Sequence, residues 1–136
     1  MELGTFGAIM SFALELEERT STFYETTAQG GLEETFLQLA QNAHKRWKRL
    51  ERARREGVSE MILESITGLN GEDYQMDLDF EDDQVGLVGQ AQALADVSIR
   101  FYQHAADKIP IQEIARLFQR LAQENERCKT QLAGLS

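Results

Sequence analysis

Apolar residues recur at spacings of three and four along most of this chain, the mark of amphipathic helices. The first stripe is Phe6, Met10, Ala13, Glu17, Thr20, Tyr24 and Thr27, flanked by Ile9, Leu16 and Phe23. It predicts a helix from about Gly4 to Ala28, stopped by Gln29-Gly30-Gly31, where Gly30 or Gly31 suits a left-handed C-cap. A second stripe, Phe36, Leu39, Ala43, Arg46 and Leu50 with Ala40 and Trp47 beside it, predicts a helix from about Glu33 to Glu56. Glu33 and Glu34 favour its start, Arg54 and Arg55 its end, and Gly57 terminates it. Val88, Ala91, Ala95, Ser98, Tyr102 and Ala105 predict a third helix from about Gln84 to Lys108. Ile114, Phe118, Leu121, Asn125, Cys128 and Leu132 predict a fourth from about Ile111 to Leu132, with Pro110 placed to open it. Nothing alternates with period two over a useful length, so a β-rich fold is excluded.

The stripes come in pairs that repeat. Leu16-Glu17, Phe23-Tyr24, Phe36, Leu39-Ala40, Ala43, Arg46 and Leu50 return as Leu94-Ala95, Phe101-Tyr102, Phe118, Leu121-Ala122, Asn125, Cys128 and Leu132. The offset is 78 residues at Glu17 and Ala95 and 82 at Phe36 and Phe118, which predicts a turn four residues longer in the second copy. A duplicated helical hairpin makes an all-α four-helix bundle in a single domain over residues 1–136. Between the halves, Ser59 is placed to cap a short helix through about Ile66, with Met61, Ile62 and Ile66 inward. Residues 67–83 are polar, acidic and punctuated by glycine, although Leu69, Tyr74, Met76, Leu78 and Phe80 are apolar enough to pack on the bundle. A connection this long is functional or a crossover spanning the bundle.

Composition agrees with a globular helical domain: 42% hydrophobic residues and one proline in 136 residues. No apolar run reaches the ~18–20 residues of a membrane span, and no basic segment precedes an apolar one as in a secretory signal. The lone Cys128 rules out an intramolecular disulfide and fits a cytoplasmic protein. A net charge of −9 argues against nucleic-acid binding. Residues 45–55 nevertheless carry Lys45, Arg46, Lys48, Arg49, Arg52, Arg54 and Arg55, while 72–83 carry Glu72, Asp73, Asp77, Asp79, Glu81, Asp82 and Asp83. These clusters are two solvated surfaces, or the acidic link lies over the basic helix.

Four polar residues fall in mid-stripe: Glu17, Arg46, Asn125 and Cys128, with Thr20, Tyr24, Ser98 and Tyr102 a turn away. Buried polar groups need partners, and a buried carboxylate needs a cation or strong donors. Either Arg46 pairs with Glu17, or Arg46 reaches outward and Trp47 points in, leaving Glu17 to Tyr102 or Asn125. The Tyr24 and Tyr102 hydroxyls also need acceptors, and Glu17 is the obvious one. His44 lies one residue off the stripe, as an edge histidine. His104 sits near a helix end, where the dipole favours it.

Leu16-Glu17-Glu18 with Phe23-Tyr24, Leu39-Ala40 and Arg49-Leu50-Glu51 resembles the rubrerythrin-like branch of the ferritin-like superfamily, as does the stretch from Arg55 to Glu64. The resemblance implies a ferritin-like bundle with a carboxylate-bridged di-iron site: one Glu from each of two helices and a Glu-x-x-His pair from each of the others. Such ligands suit iron or manganese. Carried onto this chain, only Glu17 is retained. Ala43 and Arg46 occupy the second helix's positions, Ala95 the third's, and Asn125 and Cys128 the fourth's, with Cys128 a weak candidate ligand. Tyr24 and Tyr102 stand where the family has tyrosines near the metals. No Cys-x-x-Cys is present to supply an electron-donating rubredoxin-like module.

The expectation is a relative that has lost the di-iron site, needs no cofactor and acts as a binding or scaffold protein, a homodimer with a possible protein partner. Its expected contact surfaces are Trp47, the link's apolar residues and the basic end of the second helix. The alternative is a non-haem di-iron oxidoreductase or iron-handling protein with altered ligands, holding iron or manganese. A third reading is a small-molecule binder using the space beside Ala43 and Ala95.

Overall fold

The computed structural model describes residues 2–57, 66–76, 78 and 83–135, and shows four helices packed as two hairpins. They are α1 (Phe6–Thr27), α2 (Glu33–Gly57), α3 (Gln84–Lys108) and α4 (Gln112–Ala133). α1 pairs with α2 and α3 with α4; the hairpins meet through α1 against α3 and α2 against α4. Three of the four starts have a local cause. Thr5 accepts the Ala8 amide at 3.0 Å and Asp83 accepts the Gly86 amide at 2.6 Å, satisfying N-terminal donors the helices leave open. Glu33 and Glu34 open α2, and Arg54 and Arg55 close it, with the helix dipole.

The first turn differs from expectation. α1 ends on an extended Ala28, and the positive φ falls on Gly30 (55°), which opens a 3-10 turn, Gly30–Leu32. Pro110 lies two residues before α4 rather than inside its first turn. The four extra residues of the second half are not in its turn. Only residues 109–111 join α3 to α4, and helix runs about one turn further on both sides of that hairpin end than in the first half.

The direction of each helix follows from contacts at the bundle ends. Ile66 and Leu69 hydrogen-bond Gly4 and Leu3 just ahead of α1, at 2.9 and 2.8 Å. Gly68, at φ 81°, lies under Lys108 at the end of α3, so a Cβ there meets both strain and the Lys108 ammonium 3.1 Å away. At the other end Gly31 packs on Gln84, the first residue of α3. So α1 and α3 are antiparallel, α2 and α3 parallel, and the described residues of the connection between the hairpins reach from one end of the bundle, at Ile66, to the other, at Asp83. It climbs the α1–α3 face. Tyr74 packs on Phe12 and Phe101 with ring centroids 6.3 and 5.4 Å apart, and Met76 and Leu78 line a groove with Glu18, Thr22 and Phe23. The expected short helix from Ser59 and the placement of Phe80, Asp77, Asp79, Glu81 and Asp82 lie outside the described residues. Among the described residues, the ion pairs of the basic stretch go to Glu17, Glu51 and Glu124.

The core holds two aromatic triads of similar geometry, one in each hairpin. Phe23, Tyr24 and Phe36 form a buried triad with centroid distances of 5.3, 5.0 and 6.2 Å. Phe101, Tyr102 and Phe118 form another at 5.3, 5.3 and 6.1 Å. In both, the tyrosine ring meets the second helix's phenylalanine edge to face, at 80° and 89°. Thr20 and Ser98 take equivalent places, each returning its hydroxyl to the carbonyl four residues earlier. No described helix is long and apolar enough to cross a membrane.

Candidate functional site: a buried carboxylate and its guanidinium

Glu17 sits mid-helix on the core face of α1 and is 2% exposed. Arg46, on the core face of α2, reaches it across the hairpin: its Nε donates to Glu17 Oε1 at 3.0 Å and Oε2 at 3.1 Å. From the other hairpin, the Tyr102 hydroxyl of α3 donates to Oε2 at 2.5 Å. One buried carboxylate thus ties three helices together and has a full cation beside it. Burial pushes the Glu17 carboxyl above its ordinary value, against the pull of Arg46 and Tyr102. Burial disfavours the Arg46 charge most, but Glu17, Tyr102 and Cys128 together outweigh it and hold the guanidinium protonated.

The other sequence candidates go elsewhere. Tyr24 does not reach Glu17; its hydroxyl lies 3.6 Å from Cys128 Sγ, with either atom as donor. Tyr102 faces Glu17 of the first hairpin, while Tyr24 faces Cys128 of the second. Asn125 turns back on its own helix and donates to the Leu121 carbonyl at 2.8 Å. Cys128 is buried, and burial raises its thiol despite the Tyr24 contact. Trp47, expected as an exposed contact residue, is half-buried and packs on the core with His44 stacked on it at 6.2 Å. Ala43 and Ala95 are both buried.

Three interactions had no signal in the helical periodicity. Tyr74 of the connection meets His104 Nδ1 at 2.6 Å, a contact set by the connection's path. Arg49 Nη1 holds both oxygens of Glu124 at 3.0 and 2.7 Å, joining α2 to α4. Lys129 meets Asp96 at 2.6 Å, joining α4 to α3. Opposite charges off the core stripe do mark these last two, but only once the helix neighbours are known.

The tyrosines make the site sensitive to alkali. Burial first, then Glu17, holds the Tyr102 hydroxyl well above its ordinary range; burial first, then Cys128, does so for Tyr24. A raised folded value means the folded state keeps protons that the unfolded chain releases. The stabilisation is therefore whole below a tyrosine's ordinary value of about 10 and is lost as pH rises past it. One unit above that value, Tyr24 and Tyr102 should each cost on the order of 1 kcal/mol. Urea midpoints should fall steeply above about pH 10, and less steeply in Tyr24→Phe.

Can these residues hold a di-iron centre? Of the six positions, Glu17 is occupied by Arg46 and Tyr102, Ala43 and Ala95 offer no donor, and Arg46 is a cation. Asn125 gives its amide to a carbonyl and Cys128 is a buried neutral thiol. Among the described residues, no three His, Cys, Asp or Glu side chains converge as metal ligands. The residues do not fit the group. No protein-family model, curated protein or solved structure matches the chain.

Proposed function

We propose that this chain is a ferritin-like bundle of the rubrerythrin type in which an internal cation has replaced the metal site, and that it works as a binding or scaffold protein. The observation that carries the reading is Arg46 Nε on both oxygens of Glu17, the one family carboxylate retained. A metal cluster neutralises such a carboxylate in an active relative; here a guanidinium does so within the chain. The lengthwise connection between two hairpins supports the ferritin-like assignment, since that class has one long crossover. The matched aromatic triads support an origin by duplication of one hairpin. As part of the same proposal the protein is cytoplasmic and forms a homodimer, which its mass in solution tests.

A di-iron oxidoreductase with altered ligands is the competing function. Protein produced in iron- and manganese-supplemented medium separates the two. Elemental analysis is expected to find no stoichiometric metal. About two tightly held metals per chain, the complement of a di-iron site, would overturn the proposal.

A further inference from the structure

Between α2 and α4 a cleft of about 250 Å³ runs from the surface down to Arg46 and Cys128. Its charge is at odds with the chain's. In a protein of net charge −9, Lys45, Arg46, Arg49 and Arg127 line this cleft against one carboxylate, Glu124. Arg49 is committed to Glu124 and Arg46 to Glu17. Lys45 and Arg127 have no ion pair among the described residues, so two positive charges at the rim are unanswered.

The floor supplies donors. Arg46 is only 4% exposed, and it meets Glu17 through Nε alone. Its two Nη groups have no hydrogen-bond partner among the described residues, and the residue lines the cleft. A guanidinium edge with open donors at the floor of a cleft is matched by two oxygens of a carboxylate or phosphate. Cys128 beside it keeps its proton because it is buried, so no thiolate opposes an anion.

We propose that the α2–α4 cleft binds a small oxyanion of charge about −2, a phosphate group or a compact dicarboxylate, between the Arg46 Nη donors and the Lys45 and Arg127 cations. The volume admits a phosphate group or a compact dicarboxylate. This deepens the binding-protein reading and rests on it.

The test is calorimetric titration of the full chain with inorganic phosphate and with succinate, at neutral pH and fixed ionic strength. At least one should bind, one per chain. Phosphate alone would assign a phosphoryl ligand, and succinate alone a dicarboxylate. Lys45→Ala/Arg127→Ala, which touches only exposed side chains, should weaken binding by at least about tenfold with the urea midpoint unchanged. Arg46→Lys keeps a cation for Glu17 but removes the Nη edge, and should weaken binding as much. Absence of binding by both anions, or unchanged affinity in the rim variant, would overturn the inference. Metal analysis fails separately: two metals per chain would sink the binding-protein reading, whereas a chain with neither metal nor bound anion would sink this inference alone.

Discussion

Arg46→Met should destabilise the bundle by about 3–5 kcal/mol, because it leaves Glu17 charged, buried and without its cation. Methionine has nearly the length of the arginine stem, so little of the loss comes from packing. The Tyr102 hydroxyl stays at 2.5 Å from the carboxylate, but one neutral donor does not offset desolvation. The folded state then escapes by holding a proton on Glu17. The variant's deficit should accordingly be largest at neutral pH and shrink as pH falls toward the ordinary carboxylate range of about 4. Urea unfolding of both proteins between those limits measures it. A deficit independent of pH would point to lost packing instead. Added iron or manganese should not restore the midpoint, since the remaining positions offer no ligand set.

The second large effect lies in the aromatic triads. Phe36 and Phe118 are both fully buried, each beneath an edge-on tyrosine and beside a second phenylalanine. Phe36→Ala and Phe118→Ala should each cost about 3–5 kcal/mol, from lost burial plus a cavity that stiff rings cannot fill. The two losses should agree closely, because the ring distances in the two halves differ by at most 0.3 Å. Val85→Ala is the control. Its side chain is 77% exposed, so the change should stay within about 0.5 kcal/mol. A marked inequality between the two phenylalanine variants would mean that one half carries the core and the other only covers it.

Most of the fold was legible because burial and helical period coincide. The helix ends read from apolar spacing lie within two residues of those observed, and the mid-stripe polar residues Glu17, Arg46, Asn125 and Cys128 are all buried. Pairing was legible only in part. Glu17 and Arg46 meet because both occupy core positions of one hairpin, where an unpaired carboxylate would be costly. The misassigned Tyr24 shows the limit: its partner depends on which hairpin it faces, and periodicity within a helix is silent on that. The same holds for Tyr74 with His104 and for the α2–α4 cleft. Both depend on elements far apart in sequence, and the cleft's basic residues read in one dimension as an ordinary solvated face.

The central claim is that a guanidinium in the chain supplies the positive charge that Glu17 requires. A double-mutant cycle of Glu17→Gln and Arg46→Met, read by urea unfolding at neutral pH, tests it most directly. Glutamine keeps an acceptor for Tyr102 while removing the charge. Each single variant orphans one buried partner and should lose several kcal/mol, about 3–5 for the methionine. The double variant, with neither charge left, should recover at least about 2 kcal/mol relative to the sum of the single losses. Single losses that add to within about 0.5 kcal/mol would show that the two residues act independently and would contradict the claim.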